Sequence, residues 1–324
     1  MTERSAVQAG TPSLVTSAVQ AGTPSLVTSG VQQRASDLER SAVPKGTYGM
    51  IAVDLDGTLL DSRGQVHARD AEALAELRAR GVPLTILTGR LYSGTRHVAE
   101  AISVRGPVGC ADGSHLVDAV TGRDILHAGI VGEAAARLRA VVERVRPITF
   151  VFAHDQIVHD ALGAEHVPYV QTWSRDVVHV ERVTEHPHWG DARGLTAVIS
   201  IADADAIASA REELERTVGD AVSVVAFPLR RTEHQGSWAL IVRAAGHSKG
   251  TALEYVARHH GLAASEVVAV GDWLNDLPMF AAAGRSFAMA HAPEIVLEAA
   301  SDRLVASAST GGGVAEAAER AGLL

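Results

Sequence analysis

Four short apolar runs, each followed closely by polar residues, constrain the fold of this chain more than any other feature. They are Met50–Val53, Leu84–Leu87, Val108–Ala111 and Val267–Val270. Continuous apolar runs of this length are typical of strands buried on both faces of a parallel sheet. Helical patterns separate them, at Val66–Arg80, Ser93–Ser103 and Ser248–His260, with Ser248 as the expected N-cap. Strand, helix and strand in this order predict an α/β fold with a parallel sheet and right-handed crossovers.

The pattern changes between residues 114 and 246. Alternating strand patterns occur there at Thr149–Val158 and Ser237–Val242, and a helix is predicted at Ala204–Val218. This pattern of strands and helices predicts a separate α+β module inserted into the first domain. Strand and helix patterns resume after Gly246, so residues 45–113 and 247–324 are expected to share one sheet. The later elements expected there are a helix at Leu277–Ala283 and short units at Ser286–Met289, Glu294–Ala300 and Arg303–Val305.

The first 44 residues contain a tandem duplication. The string SAVQAGTPSLVT runs from Ser5 to Thr16 and repeats without change from Ser17 to Thr28. A short uncharged repeat of this kind buries too little apolar area to offset the entropy of ordering it. Residues 1–44 are therefore predicted to be a flexible tail, with a repeated docking motif as the alternative.

Composition narrows the classes of protein to consider. Hydrophobic residues make up 47% of the chain and charged residues 21%, as in ordinary globular proteins. The net charge of −9 argues against binding to nucleic acid or to an anionic membrane, since both need a basic face. A phosphorylated ligand would therefore need cations supplied locally. No apolar run approaches the roughly 18 to 20 residues of a membrane span, and no secretory signal is recognised. With Cys110 as the one cysteine, we expect an inert buried thiol and a cytoplasmic location.

Polar residues collect at the predicted carboxyl ends of the strands. They are Asp54, Asp56, Thr88, Asp112, Asp272 and Asp276. Ligands of open parallel sheets bind outside those ends. Several carboxylates at one place repel one another unless a hard cation is bound, and Mg²⁺ prefers carboxylates, carbonyls and water. The pattern predicts a magnesium site.

Simpler interpretations apply to each segment taken alone. The stretch from Asp54 to Thr58 is no calcium loop, because Leu59 and Gln65 stand where that loop needs Gly and Glu. It could be an ordinary turn. Thr88 could be a helix cap, Lys249 a solvated surface residue, and the segment 271–276 a capping cluster for the next helix.

Four motifs taken together are far more specific than any one of these segments alone. They are Asp54-x-Asp56-Gly57-Thr58, Leu87-Thr88-Gly89-Arg90, His247-Ser248-Lys249-Gly250 and Gly271-Asp272-x-x-Asn275-Asp276-x-x-Met279. Over residues 47–324 the chain resembles the haloacid dehalogenase-like superfamily, and within it the Cof-type sugar phosphatases. The resemblance implies a Rossmann-like core (45–113 and 247–324) and an inserted α+β cap (114–246).

The resemblance also implies a role for each site residue. Asp54 would be the nucleophile and Asp56 the general acid and base. Mg²⁺ would be bound by Asp54, Asp272 and the backbone carbonyl of Asp56. Thr88, Gly89, Asn275 and the catalytic Lys249 would hold the phosphate, while Asn275 and Asp276 would orient metal-bound water or Lys249.

Relatives commonly carry Asn where this chain has Asp112, whose charge would lie near the phosphate. Asp112 is expected to point away, to be protonated or to contact the metal. The cap would select the leaving group, with candidates Arg230, Arg231, His234, Trp173, Trp189 and Trp238, although such aromatic residues and histidines are more often core.

The expected substrate is a sugar phosphate, with nucleotide or cofactor phosphates next. One alternative activity is phosphate transfer between sugar positions, as in phosphomannomutase-like relatives. A non-catalytic phospholigand-binding regulatory module is another. Dehalogenation is disfavoured, because the dehalogenases of this superfamily lack the second aspartate that Asp56 supplies.

Overall fold

The computed structural model describes residues 48–229 and 236–324. The predicted tail with its repeat, and the cap candidates Arg230, Arg231 and His234, lie outside the described residues. Within the two described ranges, no helix has the length and apolarity needed to cross a membrane.

The strands of the described chain fall into three sheets. They are β1 (Met50–Val53), β2 (Leu84–Ile86), β3 (Pro107–Cys110), β4 (His115–Asp118), β5 (Asp124–His127), β6 (Ile148–Ala153), β7 (Gln156–His159), β8 (Val177–His179), β9 (Ala197–Asp203), β10 (Val222–Pro228), β11 (Ser237–Ala244), β12 (Val267–Gly271), β13 (Arg285–Ala288) and β14 (Asp302–Arg303).

The helices lie between these strands. They are α1 (Ala68–Ala79), α2 (Tyr92–Ala101), α3 (Gly132–Val145), α4 (Val167–Val170), α5 (Ala204–Thr217), α6 (Lys249–His259), α7 (Leu277–Ala282), α8 (Glu294–Ala299) and α9 (Gly313–Ala321). The predicted helices are confirmed to within two residues at each end. Ser248 is also confirmed as the N-cap of α6, because its side chain accepts a hydrogen bond from the Thr251 amide.

The first sheet confirms the predicted parallel core. Its order is β14-β13-β12-β1-β2, all parallel, and a single parallel bridge from Leu87 to Gly109 places β3 beside β2. Strand β1 is central: Val53 pairs with Val270 on one side and with Ile86 on the other. The polar residues that follow β1, β2, β3 and β12 therefore share one edge.

Alternation along β1 explains why this strand is apolar throughout. Ile51 and Val53 pack in a hydrophobic cluster with residues of α1, α2 and α9. Met50 and Ala52 point the other way, into a cluster with residues of α6 and α7. Both faces of the sheet are covered by helices, so no position in β1 can be polar.

The second sheet is formed by residues 148–244, in the order β10-β11-β9-β6-β7-β8. Helices α3 and α5 pack on one face. On the other face, Phe150 and Phe152 form a cluster with Leu91 and Ala111, which follow β2 and β3 of the core. This sheet therefore lies against the edge of the core where the polar residues collect.

One strand prediction was wrong. The segment 149–158 was expected as one strand, but it is the hairpin β6–β7, with a turn at His154 and Asp155. Both turn residues have positive φ, 51° and 63°. Two-residue hairpin turns need this backbone conformation, which Asp tolerates better than most residues. Because no glycine stands here, the turn was not recognised.

The third sheet joins β3 to the hairpin β4–β5. Residues 115–127 are thus hydrogen-bonded to a strand that also bridges to the core sheet, and the division into core and cap at 114 and 246 stays a prediction. Cys110 is buried in β3, and burial raises the pKa of its thiol well above the ordinary value. This agrees with an inert thiol.

Candidate active site

Asp54 stands at the carboxyl end of the central strand. Its backbone amide donates to the Val270 carbonyl (3.0 Å), and the residue is 5% exposed. Burial raises the pKa of Asp54 well above its ordinary value, and Asp276 and Asp272 add to the rise, while Lys249 opposes it. A buried carboxylate in this position needs nearby positive charge to stay ionised.

Lys249 supplies that charge. It is the first residue of α6, its side chain has no solvent exposure, and Nζ lies 2.6 Å from both Asp54 Oδ1 and Asp276 Oδ1. Burial by itself would lower the pKa of Lys249, but Asp276 and Asp54 raise it well above the ordinary value. The alternative of a solvated surface lysine is therefore wrong.

Asp276 holds the loop after β12 in place. Its Oδ2 accepts hydrogen bonds from the backbone amides of Asp272 and Trp273, both at 2.9 Å, and its Oδ1 accepts from Lys249. Its side chain makes no capping bond to α7. The alternative of a capping cluster for that helix is therefore wrong, and Asp276 instead orients Asp272 and Lys249.

The two carboxylate oxygens of Asp272 have different surroundings. Oδ1 accepts from the Thr58 hydroxyl (3.0 Å). Oδ2 is buried and accepts no hydrogen bond among the described residues, although His291 Nε2 lies 3.3 Å from it. A Cβ on Gly57 would lie 2.4 Å from this Oδ2, so the β1 loop passes directly beside it. A buried carboxylate oxygen that accepts no hydrogen bond and has only a partly exposed histidine nearby is suited to bind a cation.

The acidic groups fit a divalent metal ion. One ligand atom each of Asp54, Asp272 and Asp276 lies within 4.8 Å of the others. Asp276 has both oxygens engaged, which leaves Asp54 and Asp272 as the available carboxylates. All-oxygen ligands and an excess of negative charge over Lys249 match the preference of Mg²⁺. The family resemblance implies the backbone carbonyl of Asp56 as a further ligand.

The side chain of Asp56 is held by Arg90. Arg90 Nε donates to Oδ2 at 2.8 Å and Nη2 donates to Oδ1 at 2.5 Å. Arg90 is itself buried, and Nη1 donates to the Gly94 carbonyl (3.2 Å) at the start of α2. Arg90 belongs to the motif Leu87-Thr88-Gly89-Arg90, but no role was predicted for its side chain.

Thr88 and Gly89 form the turn after β2. Thr88 is fully buried, and its hydroxyl accepts from the Arg90 amide (3.2 Å). The N-cap of α2 is Leu91, so the helix-cap interpretation of Thr88 is wrong. A Cβ on Gly89 would come within 3.3 Å of Asp112 Oδ1 and 3.7 Å of Asn275 Nδ2, which places all three residues together.

Asp112 is ion-paired. Asn275 Nδ2 donates to Oδ1 at 2.8 Å, and Arg243 Nη2 lies 2.6 Å from Oδ2. From the sequence, Asp112 was expected to point away, to be protonated or to contact the metal, and an arginine partner from β11 was not predicted. Asn275 is a predicted phosphate contact, and in this structure one N–H of its amide is donated to Asp112.

The tryptophan candidates have structural roles. Trp189 is buried and donates to the Val183 carbonyl (2.9 Å), and Trp238 packs against the cluster of the second sheet. Trp173 packs against the cluster that contains Phe150 and Phe152, with its ring centroid 6.2 Å from that of Phe152. Arg243 was not predicted as a site residue, because a single arginine within a strand pattern carries no local signal of a partner that follows another sheet.

Comparisons with known proteins agree with this geometry. A family model described as haloacid dehalogenase-like hydrolase matches residues 51–317. Pyridoxal phosphate phosphatase YbhA of Escherichia coli is 29% identical over 266 residues, covering 77% of this chain and 90% of that protein. Phosphoglycolate phosphatase of Archaeoglobus fulgidus is 28% identical over 274 residues, covering 85% and 97%. A haloacid dehalogenase-like hydrolase structure from Bacteroides thetaiotaomicron superimposes with a TM-score of 0.70 at 22% identity, covering 84% of this chain and 99% of that one.

Proposed function

The chain belongs to the haloacid dehalogenase-like hydrolase family, as a Cof-type phosphatase, and we propose that it cleaves small phosphate monoesters through an aspartyl-phosphate on Asp54. The observation that carries the proposal is the Asp54 carboxylate, which lies 2.6 Å from the buried ammonium of Lys249 and has a carboxylate oxygen within 4.8 Å of one of Asp272. A carboxylate held in this way is a suitable nucleophile toward phosphorus.

In the first step, an Asp54 oxygen attacks phosphorus while the bond from phosphorus to the leaving oxygen breaks. In the second step, water attacks the same phosphorus and Asp54 leaves. Lys249 favours the ionised form of Asp54 and attracts the phosphoryl oxygens. Thr88 and the Gly89 amide are further phosphate contacts in this proposal. Asn275 would contribute the second N–H of its amide, since the first is donated to Asp112.

Asp56 would move the proton. It would donate a proton to the leaving oxygen in the first step and take one from the attacking water in the second. Arg90 fixes the orientation of its carboxylate through two hydrogen bonds. Each carboxylate oxygen has a further lone pair, so the pairing still permits contact with a leaving group or water.

Asp54 and Asp272 would hold Mg²⁺, with the Asp56 carbonyl as a further ligand. When bound, the ion offsets the repulsion between the anionic carboxylate and the anionic phosphate. Asp276 would act through its neighbours. It orients Asp272 by accepting a hydrogen bond from the Asp272 backbone amide, and it pairs with Lys249.

The substrate would be a small phosphorylated metabolite. The curated relatives include phosphatases named for pyridoxal phosphate and phosphoglycolate, and a solved neighbour at 18% identity is described as a sugar phosphatase. Sugar phosphates and cofactor phosphates therefore head the panel to test.

The test is a screen for phosphate release over such a panel with Mg²⁺, with wild type and Asp54→Asn assayed together. Asp205→Asn, at an exposed position in α5, is the matched control. We expect release by wild type and by the control, and none by Asp54→Asn. Acid-quenched wild type should also carry a phosphoryl group on the peptide that contains Asp54. Equal release by Asp54→Asn contradicts the nucleophile assignment, and isomerisation of a sugar phosphate without release would instead favour a phosphotransferase.

A further inference from the structure

Asp112 brings a negative charge to the edge of the phosphate site. It is 8% exposed and has a left-handed backbone conformation, with φ at 51°. Its two oxygens have separate partners, Asn275 Nδ2 at 2.8 Å and Arg243 Nη2 at 2.6 Å. The Asp112 and Arg243 side chains are only 11% and 19% exposed, so solvent screens this ion pair weakly.

The position of this pair matters because of Gly89. A Cβ on Gly89 would lie 3.3 Å from Asp112 Oδ1, so the carboxylate is in contact distance of the turn proposed to bind phosphate. Asp112 also contributes to the raised pKa of Lys249, the cation beside Asp54. A substrate held by Gly89 and Lys249 would therefore have the Asp112 charge close by.

Asn275 and Arg243 together resemble a binding site for an anion. An amide and a guanidinium converge on one carboxylate, which is the arrangement that a carboxylate or phosphate substituent of a ligand would require. Arg243 comes from β11, in the sheet that lies over the site edge. Its Nε is buried without a hydrogen bond among the described residues. Within residues 48–229 and 236–324, the guanidinium forms its ion pair with Asp112.

We propose that Asp112 is a specificity-determining residue, an internal anion that occupies Arg243 and Asn275 and so excludes substrates with a second anionic group beside the phosphate. The proposal rests on the proposed phosphatase function. Leaving groups that are uncharged near the phosphate, such as hydroxylated ones, are then favoured. Bisphosphates and phosphocarboxylates meet the Asp112 carboxylate where their second anion would lie, and like charges repel.

The experiment compares two phosphonates that the enzyme cannot hydrolyse, propylphosphonate and 3-phosphonopropionate. They have the same chain length and differ by one carboxylate. Their affinities for the Mg²⁺-loaded full chain are measured by calorimetry with wild type, Asp112→Asn and Asp112→Gly, two replacements that tolerate a left-handed backbone. Asp302→Asn, which removes the carboxylate that pairs with Arg285 and Arg320 away from the site, is the matched control.

In wild type and in the control, propylphosphonate should bind more tightly than 3-phosphonopropionate. In both Asp112 variants the relative affinity for 3-phosphonopropionate should rise by about tenfold, because one repulsive charge is removed and Arg243 becomes available. Adding Arg243→Gln to Asp112→Asn should cancel the gain. An unchanged ratio in both folded Asp112 variants, or a gain that persists without Arg243, would overturn the proposal. Phosphate release by wild type is scored separately, so failure of the phosphatase assignment is distinguishable from failure of this one.

Discussion

Replacing Lys249 by methionine tests the charge balance of the site most directly. Methionine keeps much of the length of the side chain and removes the ammonium that lies 2.6 Å from both Asp54 and Asp276. The Lys249 side chain has no solvent exposure, so the two carboxylates would stay buried without a counter-charge. Removing one partner of a buried ion pair costs about 3–5 kcal/mol. We expect the free energy of unfolding to fall by about that amount in EDTA, and phosphate release to be lost.

Magnesium should change the size of this loss. Without Lys249, the cluster of Asp54, Asp272 and Asp276 has no ammonium beside it, so a divalent cation should bind the folded variant more tightly than wild type. A ligand that binds only the folded state stabilises it in proportion to its affinity. In saturating Mg²⁺ we therefore expect the loss to shrink by about 1–2 kcal/mol.

The measurement is urea unfolding followed by circular dichroism, in EDTA and in saturating Mg²⁺. Arg96→Met is the control, because Arg96 is 65% exposed and pairs with Glu100 on a helix surface, where an ion pair contributes less than about 1 kcal/mol. A loss for Lys249→Met below about 1 kcal/mol in EDTA would refute the reasoning about burial. An equal loss in EDTA and Mg²⁺ would refute the link to the metal.

Three further predictions follow from single contacts. Gly57→Ala should abolish Mg²⁺ binding in calorimetry, because its Cβ would lie 2.4 Å from Asp272 Oδ2. Gly64→Ala, also at positive φ but with open space around it, should retain the binding, and equal behaviour of the two would contradict the steric reason. Asp70→Ala should lower the free energy of unfolding by about 1–2 kcal/mol, because Asp70 accepts hydrogen bonds from two backbone amides at the start of α9. A urea midpoint equal to that of wild type would contradict this prediction. Burial, with nearby positive charge, lowers the pKa of His127 to about 4 from an ordinary 6.5, so the unfolded chain takes up its proton first as the pH falls. The free energy of unfolding should therefore decline as the pH falls from 6.5 to about 4. His127 should contribute at most about 2 kcal/mol to that decline, after allowing for its partial exposure. His127→Gln should flatten the decline, measured as urea midpoints across this pH range.

Much of the fold was predictable because its signals are local. A strand covered on both faces has to be apolar throughout, as Met50–Val53 is, and the alternation of such strands with helices implies a parallel sheet. Parallel strands end at the same edge, so Asp54 and Asp272 could be expected to lie together although 218 positions separate their numbers. The hairpin turn at His154 and Asp155 was missed, because its left-handed backbone occurs without the glycine that usually marks it.

The partners of the charged side chains were decided by the tertiary structure alone. Lys249 has the local pattern of a residue at the start of a helix, and only the packing of α6 brings it to Asp54, 195 residues away. Arg90 reaches Asp56, and Arg243 crosses from the second sheet to Asp112, through contacts that no local pattern encodes. The sequence determined which residues could do chemistry, since residue type and strand ends are local properties. Which cation neutralises which carboxylate depends on how distant elements pack, and that was visible only in the folded chain.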